Sequence, residues 1–454
     1  MTTPLLWEDE LNSWDVASRS TGELLGTVRH VDAVLGTYYL FLHGWMALLG
    51  DSVFALRLPS ALAMAGAAAC AALCGRRLFG RRAGLAGGLL FALIPAVTRY
   101  AHEARPYALV VCAVSLSTLM LLRALEWPER RRHWAVYSLC LIAAGLLHLL
   151  ALTALTGQAV AAVALRGRAS RRALWSFGLA VTAAVLAVLP IALLGYTQAG
   201  RQISWIPHPN LRGLVDVWPQ LFGSALAAGV VLALAALPWQ GHRSATRSAL
   251  ALAVLPTLLL WTISHGERSY FFHRYLLFTL PAWVILAGAG LALARSRAVT
   301  AWVLVALAFL MLPGQAALRQ PFAHFNSGLD YSGAARVIEK YHLPGDAVVY
   351  DRGEDQWRML DVGVRYYLSG RLRMRDVFLG RSAADSNDLQ PKECLSPARC
   401  VHDEPRVWLV VPGTSADPFA DLPAAQRKAL FARYTATGTE RVQGIMVALL
   451  QRHA

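Results

Sequence analysis

Ten apolar runs, most of them close to the length that an α-helix needs to cross a bilayer, follow one another through residues 54–318 and then stop. A helix rises 1.5 Å per residue, so about 20 apolar residues match a hydrocarbon layer about 30 Å thick. The runs cover 54–74, 83–98, 105–125, 134–151, 152–165, 173–193, 214–238, 249–264, 272–294 and 298–318. The fourth and fifth share one stretch broken near His148 and Thr153. With 56% hydrophobic and 16% charged residues in 454, and a mean hydropathy of +0.42, the chain has more apolar surface than one soluble core can bury. The expected fold class is therefore mainly α, a polytopic membrane helical bundle.

After about residue 319 the pattern changes. Short alternating segments such as Ala347–Tyr350 and Val407–Val411 lie among Pro, Gly and charged turns, with amphipathic helices expected at 333–340 and 423–434. The expected domains are 1–53, an outer loop with an acidic motif and interfacial helices; 54–318, a transmembrane bundle of about ten helices; and 319–454, a small extracytoplasmic soluble α/β domain. No internal repeat is visible.

A net charge of +15 invites a nucleic-acid reading, but most of the excess lies between apolar runs. Short cytoplasmic loops carry the Arg excess in membrane proteins. Arg76, Arg77, Arg81 and Arg82 form one such loop, followed by Arg130–Arg132, by Arg166, Arg168, Arg171 and Arg172, by Arg243 and Arg247, and by Arg295 and Arg297. The charge is thus topological, and no nucleic-acid partner is expected. The alternate connections, including everything after 319, then face outward, which predicts a multi-pass plasma-membrane protein with an extracytoplasmic C-terminal domain. Cys70, Cys74, Cys112 and Cys140 lie in apolar runs and read as packing residues, whereas Cys394 and Cys400 share a polar loop where a disulfide is expected.

The outward connections hold the chemistry-bearing residues. Asp9 and Glu10 adjoin Trp7, and such a carboxylate pair can accept a proton from an attacking hydroxyl. An acidic lip beneath an interfacial Trp is the alternative. Residues 99–107, Arg-Tyr-Ala-His-Glu-Ala-Arg-Pro-Tyr, crowd ionisable groups between two apolar runs. Arg105 can hold a phosphate through two parallel hydrogen bonds, with His102 and Glu103 ordering it or a metal; an interfacial salt-bridge cluster is the alternative. His30 and Asp32 can help bind a cation or be surface decoration. Arg201 and Trp205 share the connection at 200–209, where an aromatic belt alone would explain the Trp. Arg274, within His273-Arg274-Tyr275, is either a snorkelling anchor or a second anion contact. No P-loop, GxSxG or zinc signature occurs.

In this order and spacing, the acidic pair after Trp7, Tyr38-Tyr39-Leu40-Phe41-Leu42-His43, Phe54-Ala55-Leu56-Arg57-Leu58-Pro59-Ser60, Gly75-Arg76-Arg77-Leu78-Phe79-Gly80, His102-Glu103-Ala104-Arg105-Pro106-Tyr107, Trp205-Ile206-Pro207 and Arg274-Tyr275 resemble the GT-C fold glycosyltransferases. The branch most resembled is the family 39-like one, which includes protein O-mannosyltransferases and aminoarabinose transferases. The likeness covers residues 5–320 and fades in the C-terminal domain. It implies a GT-C-like bundle and a polyprenyl-phosphate sugar donor, mannose or a similar hexose, entering from the membrane. Transfer would be on the outer face with inversion, to a glycan, lipid or protein acceptor of a bacterial cell envelope. It implies Asp9 as base or metal ligand supported by Glu10, Glu103 and Arg105 near the donor phosphate with Arg274 and Arg201, and His102, Tyr107 and Trp205 in support. A divalent cation would fall to Asp9, Glu103, His30 and Asp32. His102 stands where the family usually has Gln. The family also places a helix before Trp7, so a first helix is expected to be missing from this sequence, or the short N-terminus to be translocated by the next helix.

Two rival classes compete with this expectation. A transporter or lipid flippase places ionisable residues near the bilayer midplane, often in repeated halves, whereas here the charges gather at one rim. An inactive family member acting as a scaffold fits the short N-terminus.

Overall fold

The computed structural model describes residues 2–165, 171–238, 243–294, 296–324, 328–353, 356–368 and 372–453, so Arg166, Arg168 and Arg295 lie outside the described residues. The chain forms two compact units. One contains 32–38 and 54–319; the other contains 2–31, 39–53 and the C-terminal part from Gln320.

Among the described residues, six helices are long and apolar enough to cross a membrane: Val53–Phe79, Tyr107–Glu126, Arg171–Gln202, Arg243–Ile263, His273–Ala292 and Arg297–Ala317. Two further expected spans are bent pairs, Arg81–Leu93 with Pro95–Ala101 at 65° and Leu211–Phe222 with Ala225–Ala235 at 101°, which raise the number to eight. The two expected at 134–151 and 152–165 are the shorter helices Arg131–Leu147 and Ala154–Leu165, parted by a 3-10 turn at Leu149–Thr153. All ten apolar runs thus have a helical counterpart, but four are broken or short.

The bends have identifiable causes. Pro95 opens the second half of the first pair, and the Leu93 carbonyl left at the break accepts from Gln315 Nε2 at 2.9 Å. In the second pair Gly223 takes a φ of +72°, and a Cβ there would lie 2.8 Å from the Ala96 backbone nitrogen. Only glycine meets both demands.

Lipid tails are as apolar as leucine, so close packing rather than hydrophobicity drives helices together, and small residues permit it. Helix Arg81–Leu93 meets the span that ends at Ala292 through Gly87 and Gly288; a Cβ on Gly288 would sit 2.4 Å from the Ala83 carbonyl oxygen. It meets Val53–Phe79 where a Cβ on Gly84 would lie 2.3 Å from the Ala72 oxygen. Inside the bundle the fully buried Gln158 accepts from Tyr137 Oη at 2.9 Å and donates to Ser117 Oγ at 2.8 Å, which joins three helices.

In the second unit strands β1 (Ala347–Tyr350), β2 (Arg375–Asp376), β3 (Leu379–Arg381), β4 (Lys392–Glu393), β5 (Arg406–Pro412), β6 (Tyr434–Val442) and β7 (Ile445–Arg452) make a five-stranded sheet of order β2-β1-β5-β7-β6 and a β3-β4 ribbon. β1 is parallel to β2 and β5, while β7 is antiparallel to β5 and β6. Val349, Leu409, Phe378, Leu430 and Met446 form part of its apolar core. The expected amphipathic helices are Tyr331–Tyr341 and Ala424–Phe431. Arg352 is buried among Asp361, Asp376 and Glu393, and Cys394 and Cys400 form the expected disulfide. Helices Glu8–Ser18 and Thr21–His30 belong to this unit, the second opened by a capping box of Ser20 and Glu23.

Replacing Gly288 with Val would drive side-chain atoms into backbone, and overpacking of this kind costs about 1–3 kcal/mol or more. The expected outcome is a lower melting temperature in detergent, measured by tryptophan fluorescence, while Gly229→Val, where a Cβ meets nothing within 4 Å, leaves it unchanged.

Candidate functional site

Three connections of the first unit converge on one guanidinium. Arg274 opens the span His273–Ala292, and its Cζ lies 5.0 Å from the Phe272 ring centroid, 5.6 Å from Trp205, 5.7 Å from Tyr107 and 6.0 Å from Tyr275. Arg105 approaches Tyr107 as well, at 5.9 Å, so one phenol ring serves two cations. Arg99 stacks over Tyr100, whose ring meets Tyr107 edge-on at 5.7 Å. A cation over an aromatic face gains about 0.5–2 kcal/mol, more as water is removed, so these rings hold positive charge at the border of an apolar bundle.

The turn bearing Arg105 is held from the helix Val53–Phe79, where Ser60 donates to the Glu103 carbonyl at 2.6 Å. Glu103, Arg105 and Tyr107 are buried. Pro106 then caps the span Tyr107–Glu126, and the Val110 amide donates to its carbonyl at 3.0 Å. Trp205 follows the helix Arg171–Gln202 and donates its indole N–H to the Gln202 carbonyl at 2.9 Å. Its edge meets Phe272 at 5.0 Å.

His102 sits on the same turn, half-buried. Burial first, and then the charges of Arg57 and Arg319, push its imidazole below the usual histidine range. These causes favour the neutral imidazole, in which one ring nitrogen donates and the other accepts.

The structure thus brings together Arg105, Tyr107, Trp205 and Arg274, with His102 and Glu103 on the same turn. Arg201 is exposed at the end of its helix, four residues before Trp205. Tyr100, Phe272 and His148, which carry no site role in the sequence, join the same frame; the His148 ring lies 4.7 Å from Tyr275 and 5.9 Å from Tyr107. Their only signal in the sequence was aromatic character at the ends of apolar runs.

Asp9 and Glu10 belong to the second unit. They lie in the first turn of Glu8–Ser18, where Glu8, Asp9 and Glu10 face the positive end of the helix dipole. Glu10 is fully buried and Asp9 half-buried.

Two of the four residues expected to hold a cation have protein partners. His30 Nδ1 is 2.8 Å from the Gly26 carbonyl, and Asp32 accepts from Gln202 Nε2 at 2.9 Å. Among the described residues no group of three His, Cys, Asp or Glu side chains gathers as a metal site.

Residues 37–194 match the family described as dolichyl-phosphate-mannose-protein mannosyltransferase. No curated protein matches the chain by sequence. The structure is similar to ArnT from Cupriavidus metallidurans in the apo state, with a TM-score of 0.63 and 15% identity over 98% of this chain and 92% of that one. The same figures hold for ArnT from that organism bound to undecaprenyl phosphate.

Replacing Arg319 with Gln removes a repelling charge, so the His102 titration is expected to move upward. NMR of labelled histidine would show this, and an unmoved signal would contradict the electrostatic account of that turn.

Proposed function

The chain has the GT-C fold of membrane glycosyltransferases, and from that premise we propose that it transfers a sugar from a polyprenyl phosphate to a hydroxyl acceptor. The observation that carries this reading is the pairing of Arg105 and Arg274 around Tyr107, inside an aromatic frame at the edge of a lipid-facing bundle. A phosphate on a lipid tail needs that combination: fixed positive charge for the head and an apolar approach for the chain. In support, ArnT has been solved with undecaprenyl phosphate and shares this fold.

In the proposed reaction the acceptor oxygen attacks the anomeric carbon as its proton passes to the Asp9 carboxylate. The bond from that carbon to the phosphate oxygen breaks, and its electron pair leaves with the polyprenyl phosphate. Attack opposite the leaving group inverts the anomeric centre. Negative charge grows on the phosphate as the bond lengthens, so Arg105 and Arg274 bind the transition state more tightly than the ground state. Glu10 supports the base. His102, neutral, presents a donor and an acceptor as the amide of Gln would, so His102→Gln is expected to keep transfer. The donor is assigned as mannose or a similar hexose, the acceptor as a cell-envelope glycan, lipid or protein, and the reacting face as extracytoplasmic in the plasma membrane.

No group of three His, Cys, Asp or Glu side chains gathers among the described residues, and the reaction above needs no cation for its proton transfer or bond breaking. Loss of transfer in EDTA, restored by magnesium or manganese, would show that the expected divalent cation takes part.

Membranes carrying the protein are expected to move labelled sugar from a polyprenyl-phosphate donor. Asp9→Asn and Arg105→Ala should each lower kcat by about 100-fold or more, the scale of losing one charged partner of the transition state. Unchanged transfer in both variants would overturn the proposal.

A further inference from the structure

The helix that bears Asp9 is tied, within the second unit, to one helix of the C-terminal domain. Its first turn, capped by Trp7 without a side-chain hydrogen bond, continues directly from the stretch of chain before it. That stretch is held twice: the Leu5 amide donates to the Pro321 carbonyl at 2.9 Å, and the Leu6 amide donates to Tyr367 Oη at 2.9 Å. Further along, Asp15 accepts from Arg19 at 2.8 Å and from Arg365. Arg365 also lies 5.5 Å from the Trp14 ring, which meets Tyr366 edge-on at 5.0 Å.

Arg365, Tyr366 and Tyr367 all lie on the helix Leu360–Leu368, whose Leu360, Val364 and Leu368 are buried at i, i+4 and i+8. One face of this helix is therefore buried, and the helix packs against both Tyr331–Tyr341 and Glu8–Ser18, gripping the latter through Arg365 and Tyr366. At about 100° per residue, Asp9 lies about 120° around its helix from Asp15. The grip is thus on one face, and the Asp9 carboxylate, half-buried, is on another.

We propose that the helix Leu360–Leu368 sets the reacting position of Asp9, with Tyr367 and Arg365 as positioning residues. This rests on the reading of Asp9 as the base. A misplacement of about 1 Å at a reacting group can cost 100-fold in rate, which gives the C-terminal domain a direct part in transfer.

The test is sugar transfer by the full-length protein in membranes, with kcat and the donor KM measured separately. Tyr367→Phe, which deletes only the hydroxyl, and Arg365→Ala are each expected to lower kcat about tenfold or more with the donor KM unchanged. Arg365→Lys is expected to recover part of the loss, and Asp15→Ala with Arg365→Ala together to be no worse than Asp15→Ala alone. Unchanged kcat in Tyr367→Phe and Arg365→Ala, alongside an inactive Asp9→Asn, would overturn the positioning inference and leave the base reading standing. Full activity of Asp9→Asn would overturn the base reading itself. A raised donor KM at unchanged kcat would also overturn the inference, since it would place the ties in donor binding.

Discussion

A guanidinium at the border of an apolar bundle must keep its charge with only part of its surface open to water, and three connections of the first unit meet that need at the half-buried Arg274. Insertion of such a charge at bilayer depth costs about 2.5–3.5 kcal/mol. Here the charge is met by four aromatic faces drawn from three connections: Tyr107, Trp205, Phe272 and Tyr275. Because Tyr107 also faces Arg105, the two cations share one ring and come to the same place. A frame that gathers positive charge and apolar surface together is suited to an anionic head on a hydrocarbon tail.

That convergence depends on backbone geometry further down the bundle. The turn with Arg105 follows the bent pair Arg81–Leu93 and Pro95–Ala101, and the bend is stabilised because Gln315 takes up a carbonyl released at the break. Gly84, Gly87 and Gly288 let the first helix of that pair approach its neighbours at backbone distance. Larger residues there would push the helices apart and spread the rings that enclose Arg274. Irregular backbone within an apolar bundle persists where such partners satisfy it.

The second unit follows different physics. Its sheet has a core of alternating apolar side chains, and it carries the acidic helix through hydrogen bonds to the Leu5 and Leu6 amides and the charge pairing at Asp15. The N-terminal segment is thus grouped with a domain more than 300 residues away in sequence.

Much of this was legible in the residues themselves. Spans such as Tyr107–Glu126 could be placed because the length of an apolar run is a local property matched to bilayer thickness, and β1 and β5 because their alternation is equally local. Arg105, Tyr107, Trp205 and Arg274 stood out one by one because ionisable and aromatic groups at the ends of apolar runs are conspicuous. Their association was carried only by likeness to other chains, since nothing in the spacing of 107, 205 and 274 says that they share a site. The kinks at Ile94 and Gly223, the part of His148 and the ties from Tyr367 and Arg365 to the acidic helix were beyond it for the same reason. The sequence by itself determined which segments seek lipid and which residues can carry charge there. The tertiary structure alone decided which of those charges meet, because contacts between residues far apart in the chain depend on helix approach and bend angles that no local pattern encodes.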